Sequence, residues 1–225
     1  MATDPRPIGV FDSGVGGLTV FHALEQALPA EAMEKETRLP VVGVIAPGAR
    51  RAVERSMTGR IGVIGTRATV ASGAYKRAIQ ELRPDAEVLS QACPLFVPLA
   101  EEGWTDGDIT QRVADSYLGP FKRADVDALV LGCTHYPLLR NVIGEVMGPD
   151  VVLVDSAESV AQEVDRRLRD EPALAAPGDE PDRREHHFYV TDAPEPFQVV
   201  AERFLGRPIR CLEWASLDKP SERGE

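Results

Sequence analysis

A chain of 225 residues with 43% hydrophobic side chains is long enough for one or two domains with a real core. Its net charge of −11 argues against a broad basic face for nucleic acid or an anionic membrane, yet a small acidic ligand can still be held by locally arranged backbone amides. Met1 to Pro7 lack an apolar leader, no run of ~18 apolar residues offers a membrane span, and the three cysteines form no CxxC; a reducing, cytoplasmic setting is expected.

Apolar runs alternating with helical periods predict an α/β chain with mainly parallel sheets. The first expected strand is Ile8 to Phe11. It runs into Asp12-Ser13-Gly14-Val15-Gly16-Gly17 and a helix from Leu18 to Leu28. Such glycines let backbone amides approach an anion at a helix N-terminus, but the segment reads equally as a tight turn capped by Asp12 or Ser13. Its spacing fits neither a dinucleotide-binding GxGxxG nor a Walker P-loop. Further strands are expected at Val41 to Ile45, Arg60 to Ile64 and Glu87 to Ser90. Between Asp108 and Lys122, Ile109, Val113, Tyr117 and Phe121 stand four apart, an apolar stripe expected to face the core.

The segment with most chemistry follows. Ala128 to Leu131 is a short apolar run of the kind that forms a parallel strand covered on both faces, and Pro137 marks a helix start. Gly132-Cys133-Thr134-His135 therefore falls at a strand's carboxyl end, where open α/β sheets bind ligands. A thiol there can become a base if an imidazole lowers its pKa, although Cys133 taken alone reads as a small buried hydrophobe. Strands at Val151 to Val154 and His187 to Val190 complete the set, and Asp170 to Glu185, rich in Pro and charge, is expected to be a solvated loop. His186 and His187 point to opposite sides of a strand, so no metal site is expected. No GxSxG nucleophile elbow is present.

Taken together, several segments resemble the glutamate racemase family within the aspartate/glutamate racemase superfamily. They are Gly9-Val10-Phe11-Asp12-Ser13-Gly14-Val15-Gly16-Gly17-Leu18, Pro40-Val41-Val42-Gly43-Val44-Ile45, Ile64-Gly65-Thr66 and Ser72-Gly73-Ala74-Tyr75. Others are Ala92-Cys93-Pro94-Leu95-Phe96-Val97-Pro98-Leu99 with Glu101, Gly132 to Leu138, Val154-Asp155-Ser156-Ala157, Phe188-Tyr189-Val190-Thr191-Asp192 and Phe204-Leu205-Gly206. The resemblance implies two pseudo-symmetric α/β lobes, residues 58-151 forming one and residues 1-57 plus 152-225 the other, with the site in the cleft between them.

It also implies interconversion of L- and D-glutamate for peptidoglycan synthesis, with no cofactor. Cys133, His135, Asp12 and Glu101 would be the catalytic set, Cys133 acting on the L enantiomer and His135 tuning its thiol. Asp12, Ser13, Thr66, Thr134 and His135 would hold the substrate. Family members carry a further segment ending in Cys-Asn-Thr between the first helix and the Pro-Val-Val-Gly-Val run; here Leu28 to Leu39 passes directly into Pro40, so the first lobe is shortened near residues 31-32 and the family's first thiol is missing. Neither Cys93, in a motif the family itself carries, nor Cys211 near the C-terminus replaces it. Three readings follow: a racemase working with one thiol, an inactive ligand- or partner-binding homologue, and an internally deleted relic. Glutamate is the expected small-molecule partner, membrane and nucleic acid are not expected, and a homodimer is left open.

Overall fold

Five consecutive buried residues, Ile61 to Gly65, make β1 (Arg60–Gly65) the inner strand of a four-stranded parallel sheet. A strand buried on both faces needs an unbroken apolar run, and a parallel partner needs a helical crossover. The computed structural model describes residue 10 and residues 42–170, 186–191 and 193–215. The strand expected at Ile8 to Phe11, the helix at Leu18 to Leu28 and the shortened junction near 31-32 lie outside this set, apart from the exposed Val10.

In chain order, α1 (Ile45–Arg55) precedes β1; α2 (Arg67–Ser72) and α3 (Ala74–Leu82) lead to β2 (Glu87–Ala92); α4 (Phe96–Glu101) and α5 (Gly107–Arg123) lead to β3 (Ala128–Leu131). A 3₁₀ turn (Tyr136–Leu139), α6 (Arg140–Met147), β4 (Val152–Asp155) and α7 (Ser156–Asp170) follow. The strand order is β2-β1-β3-β4, with Ile64 opposite Leu131 and Leu131 opposite Asp155. One core layer packs Phe96, Leu118, Phe121, Leu129, Tyr136 and Ile143 below the sheet, and the other packs Ala49, Ile61, Tyr75, Ile79, Val130 and Val154 above it. A second, two-stranded parallel sheet joins β5 (His187–Val190) to β6 (Cys211–Trp214) through α8 (Pro194–Leu205). β4 begins at the expected lobe boundary and completes the four-stranded sheet.

Among the described residues, one expected strand is absent, one residue of an expected core stripe is exposed, and one strand was not anticipated. The run Val41 to Ile45 does not form a strand where it is described: residues 42–44 are irregular and Ile45 opens α1. Val44 accepts the amide of Gly48 as the first helical bond, Pro47 is tolerated in the first turn because its missing N–H would be unpaired there, and Val42 and Val44 bury themselves against α7 instead. In α5 the buried face is Thr110, Ala114, Leu118 and Phe121, while Ile109 is 57% exposed. Phe121 is buried and Val113 and Tyr117 pack against the core as expected; a strict four-residue step advances about 40° each time, so the stripe winds onto the core face and leaves its first member, Ile109, outside it. β6 was not anticipated, because Cys-Leu-Glu-Trp has a single apolar–polar alternation and no turn signal of its own.

Two carboxylates fasten the layers. Asp127 accepts hydrogen bonds from Ser56 Oγ (2.6 Å) and the amides of Met57 (2.8 Å) and Thr58 (2.7 Å), tying the loop before β1 to the start of β3. Burial opposes the charge, but these bonds win and hold the carboxyl below its ordinary range. Glu163 on α7 accepts from Arg166, Arg167 and, across the layer, Arg50 of α1 at 2.9 Å. Arg166 contributes most to lowering the Glu163 pKa to about 2, against the cost of burial.

Glu163→Gln should therefore lower the unfolding free energy by about 1–2 kcal/mol at pH 7, a discounted figure because the arginines are half exposed. The contribution is full above the ordinary glutamate pKa and is lost as pH falls through the folded value of about 2. Urea denaturation of both proteins at pH 7 and pH 2.5 checks it: the gap should narrow in acid.

Candidate functional site

The sheet order reverses between β1 and β3, since the chain leaves β1 toward β2 on one side and returns to β3 on the other. Crossovers then diverge and leave a crevice beyond the carboxyl ends of these two strands. Thr66 and Cys133 stand at its two sides, each two residues past the paired Ile64 and Leu131. The approach is close. Gly132 donates its amide to Ile64 O at 2.8 Å, and a Cβ on Gly132 would lie 2.8 Å from that carbonyl and 3.0 Å from the Tyr75 ring. Only glycine lets the two strand ends meet so near the thiol.

Thr66 caps α2: its Oγ1 accepts the Thr69 amide at 3.2 Å and lies 2.9 Å from Thr69 Oγ1. Its hydroxyl is thus held in a fixed turn at the end of β1. Beyond β3, Cys133, Thr134 and His135 are half-buried. Cys133 Sγ lies 3.8 Å from His135 Nδ1, and His135 Nε2 lies 3.1 Å from Glu101 Oε1. Giving Nε2–H to the carboxylate leaves Nδ1 as the lone-pair nitrogen facing the thiol, so thiol, imidazole and carboxylate form one line along which a proton can pass. The imidazole is 12% exposed and Glu101 is 42% exposed, so the line runs from the protein interior toward water.

Glu101 reaches this position through the packing of α4. Tyr136 donates its hydroxyl to Cys93 O at 2.9 Å, and the Phe96 ring meets Tyr136 edge-on at 5.3 Å, clamping the start of α4 to the 3₁₀ turn that follows His135. Burial, then the charge of Cys133, pushes the Tyr136 and Tyr75 phenols upward, so both stay protonated beside the thiol. Cys93 is buried in the core and its thiol is pushed up to about 12 by burial, which makes it inert, while Cys211 lies in the separate β5–β6 sheet.

Cys133, His135, Glu101, Thr66 and Thr134 are thus gathered at one end of the sheet. Asp12 and Ser13 lie outside the described residues. The structure adds neighbours that had no assigned role. Asp155 ends β4 beside Leu131; burial raises its pKa, opposed by the Ala157 amide at 2.7 Å, and Tyr75 is within electrostatic reach of both Asp155 and Cys133. Asp155 carried the signal that drew attention to Cys133, a polar residue closing an apolar strand. Phe204, in α8, meets the His135 ring edge-on at 5.3 Å, and no local pattern could pair residues so far apart. A separate cavity of about 500 Å³ opens along the free edge of β4, lined by Arg51, Arg55, Arg140, Asp155 and Glu158, and does not include Cys133.

The profile of the Asp/Glu/Hydantoin racemase family matches residues 26–164, more than half of the chain. The chain belongs to that family. A glutamate racemase from Geobacter metallireducens is 40% identical over 96% of this racemase-family chain and 99% of its own length. That alignment runs over 270 positions, of which this chain, at 96% of 225 residues, fills about 216; about 54 positions of the relative have no counterpart here. Among solved structures, a glutamate racemase isoform from Bacillus anthracis superposes with a TM-score of 0.85 at 31% identity, covering 94% of this chain and 98% of that one. The glutamate racemase of Francisella tularensis in complex with D-glutamate gives 0.84 at 32%, covering 96% and 99%.

Gly132→Ala should open the β1–β3 junction and cost about 1–3 kcal/mol, because backbone and a buried ring must both move. Chemical denaturation reads the loss; an unchanged midpoint would contradict the close approach.

Proposed function

We propose that this chain is a glutamate racemase-like, cofactor-independent isomerase acting at the β1–β3 crevice, with Cys133 as its positioned thiol. The line from Cys133 through His135 to Glu101 carries the reading: it supplies a base of adjustable strength at the place where an α/β sheet holds its ligand. Membership of a family whose 40%-identical relative is a glutamate racemase, and structural likeness to one seen with D-glutamate, support glutamate as the substrate. Thr66 and Thr134 would hold the substrate's polar groups from one lobe, residues 58-151. Asp12 and Ser13 would hold them from the other, residues 1-57 plus 152-225, and the product would feed peptidoglycan synthesis.

The Cys133 thiolate removes the α-proton of L-glutamate, giving a neutral thiol and a carbanion stabilised by the adjacent carboxylate. Return of the proton to the same face restores L-glutamate. Inversion needs a second acid on the opposite face, and the family's other thiol has no counterpart among the three cysteines. The roughly 54 unmatched positions support a shortening near residues 31-32 as the reason. Losing a positioned acid costs about 10²–10⁴ in rate. One-face exchange should then outrun inversion.

Proton NMR of the protein with L-glutamate in D₂O, with chiral detection of D-glutamate, tests this. Loss of the α-proton signal at least tenfold faster than D-glutamate appears, and abolished by Cys133→Ala, is the expected result. Equal rates would reveal a second acid. No exchange in folded protein would sink the catalytic reading and leave a ligand-binding homologue.

A further inference from the structure

His135 holds two bonds at once, and its ring torsion does not fix them. The terminal torsion of histidine is broad and roughly two-fold, so neighbours must set the plane in which Nδ1 meets the thiol and Nε2 meets the carboxylate. Glu101 is a weak anchor by itself. It closes a helix of six residues, it is 42% exposed, and exposed residues 102–104 follow it.

Adjacent residues of α8 act on both members of this pair. Phe204, 5% exposed, sets its ring at 87° to the imidazole with centroids 5.3 Å apart. Its cluster, with Ala201, Leu205 and Ile209, also takes in Leu138 of the 3₁₀ turn that follows His135. Arg203 donates from Nη1 to Glu101 O. Its guanidinium lies close to Gly103, where a Cβ would sit 3.1 Å from Cζ and Nε; Gly103 has φ +76°, a conformation that side chains other than glycine's rarely adopt. One turn of helix, distant in sequence, thus fixes the imidazole by its ring and the carboxylate by its backbone.

We propose that Arg203 and Phe204 are positioning residues that hold His135 and Glu101 in line with Cys133, so that docking of α8 sets the reactivity of the thiol. The inference rests on the reading of Cys133 as the working thiol, but its test requires no substrate. Alignment acts by stabilising the thiolate–imidazolium pair, and a thiolate is the species that alkylates. α8 belongs with the segments assigned to the opposite lobe from Cys133. Its docking then ties thiol activation to the meeting of the lobes, at a point that the internal shortening leaves in place.

The test is the rate of Cys133 alkylation by iodoacetamide from pH 6 to 9, followed by peptide mass spectrometry with Cys211 as internal reference, in wild type, Phe204→Leu, Arg203→Gln and Arg203→Lys. Phe204→Leu and Arg203→Gln should slow Cys133 near neutral pH by about three- to tenfold, leave Cys211 unchanged and keep the thermal midpoint close to that of wild type. Arg203→Lys, whose ammonium still donates to the Glu101 carbonyl, should recover most of the rate. Adding Arg203→Gln to Glu101→Gln should slow Cys133 no further, because both act through one carboxylate. Faster alkylation with a lowered midpoint would mean that the contact merely shields the thiol and would overturn the proposal, as would rates unchanged in both variants. Absence of glutamate exchange in wild type would remove the proposed activity without altering these outcomes.

Discussion

The pairing of β1 with β3 is the constraint on which the rest of the site depends. These strands are neighbours in the sheet but not in sequence, and the chain leaves them on opposite sides, which makes their carboxyl ends the switch point of the sheet. Two glycines make the junction tight: Gly65, whose added Cβ would press on Thr69, and Gly132, whose amide bonds Ile64 O. Thr66 and Cys133 inherit their positions from that ladder. A register slip of one residue would exchange the side chains packed in the two core layers and part Thr66 from Cys133, so the same apolar packing that stabilises the sheet also fixes the positions of these side chains.

The electrostatics of the site follow from a gradient of burial. Phenols at Tyr75 and Tyr136 lie in the core and stay neutral, the imidazole is nearly buried, and the Glu101 carboxylate meets water. The Glu101 carboxylate stands at the outer end, where hydration is cheapest, while the thiol is approached by neutral phenols and one imidazole. A proton passed from Cys133 to His135 leaves a thiolate beside an imidazolium, and the carboxylate on the far side of the ring offsets the cost of desolvating that pair. Among the described residues, Cys93 is buried in the core and Cys211 lies in the other sheet, which leaves Cys133 as the thiol at this end of the four-stranded sheet.

Much of this was legible in the chain. The strands at Arg60, Glu87, Ala128, Val151 and His187 showed as short runs, four of which form the sheet on which the chemistry sits, and the mark is plainest at Arg60 and Ala128, where both faces are buried. Residues 42–45 misled because the same apolar pattern can be satisfied by packing on α7 without any strand partner. The α5 stripe held for Val113, Tyr117 and Phe121 and failed at Ile109, because a four-residue repeat drifts around a helix. Thr134 and His135 were legible from their place at the end of a buried strand, whereas Thr66 and Glu101 were legible only through resemblance to a family, since no local rule joins Glu101 to His135.

By itself the sequence determined the α/β alternation and the thiol, hydroxyl and imidazole at the end of a buried strand, because these depend on residue types and on periods within one element. Tertiary structure alone decided that the strand order reverses between β1 and β3, that Glu101 closes on His135 across 34 residues, and that α8 lays Phe204 and Arg203 against that pair. Those outcomes come from burying apolar faces of separate elements against one another, and long-range packing leaves no periodic trace in the segments it joins.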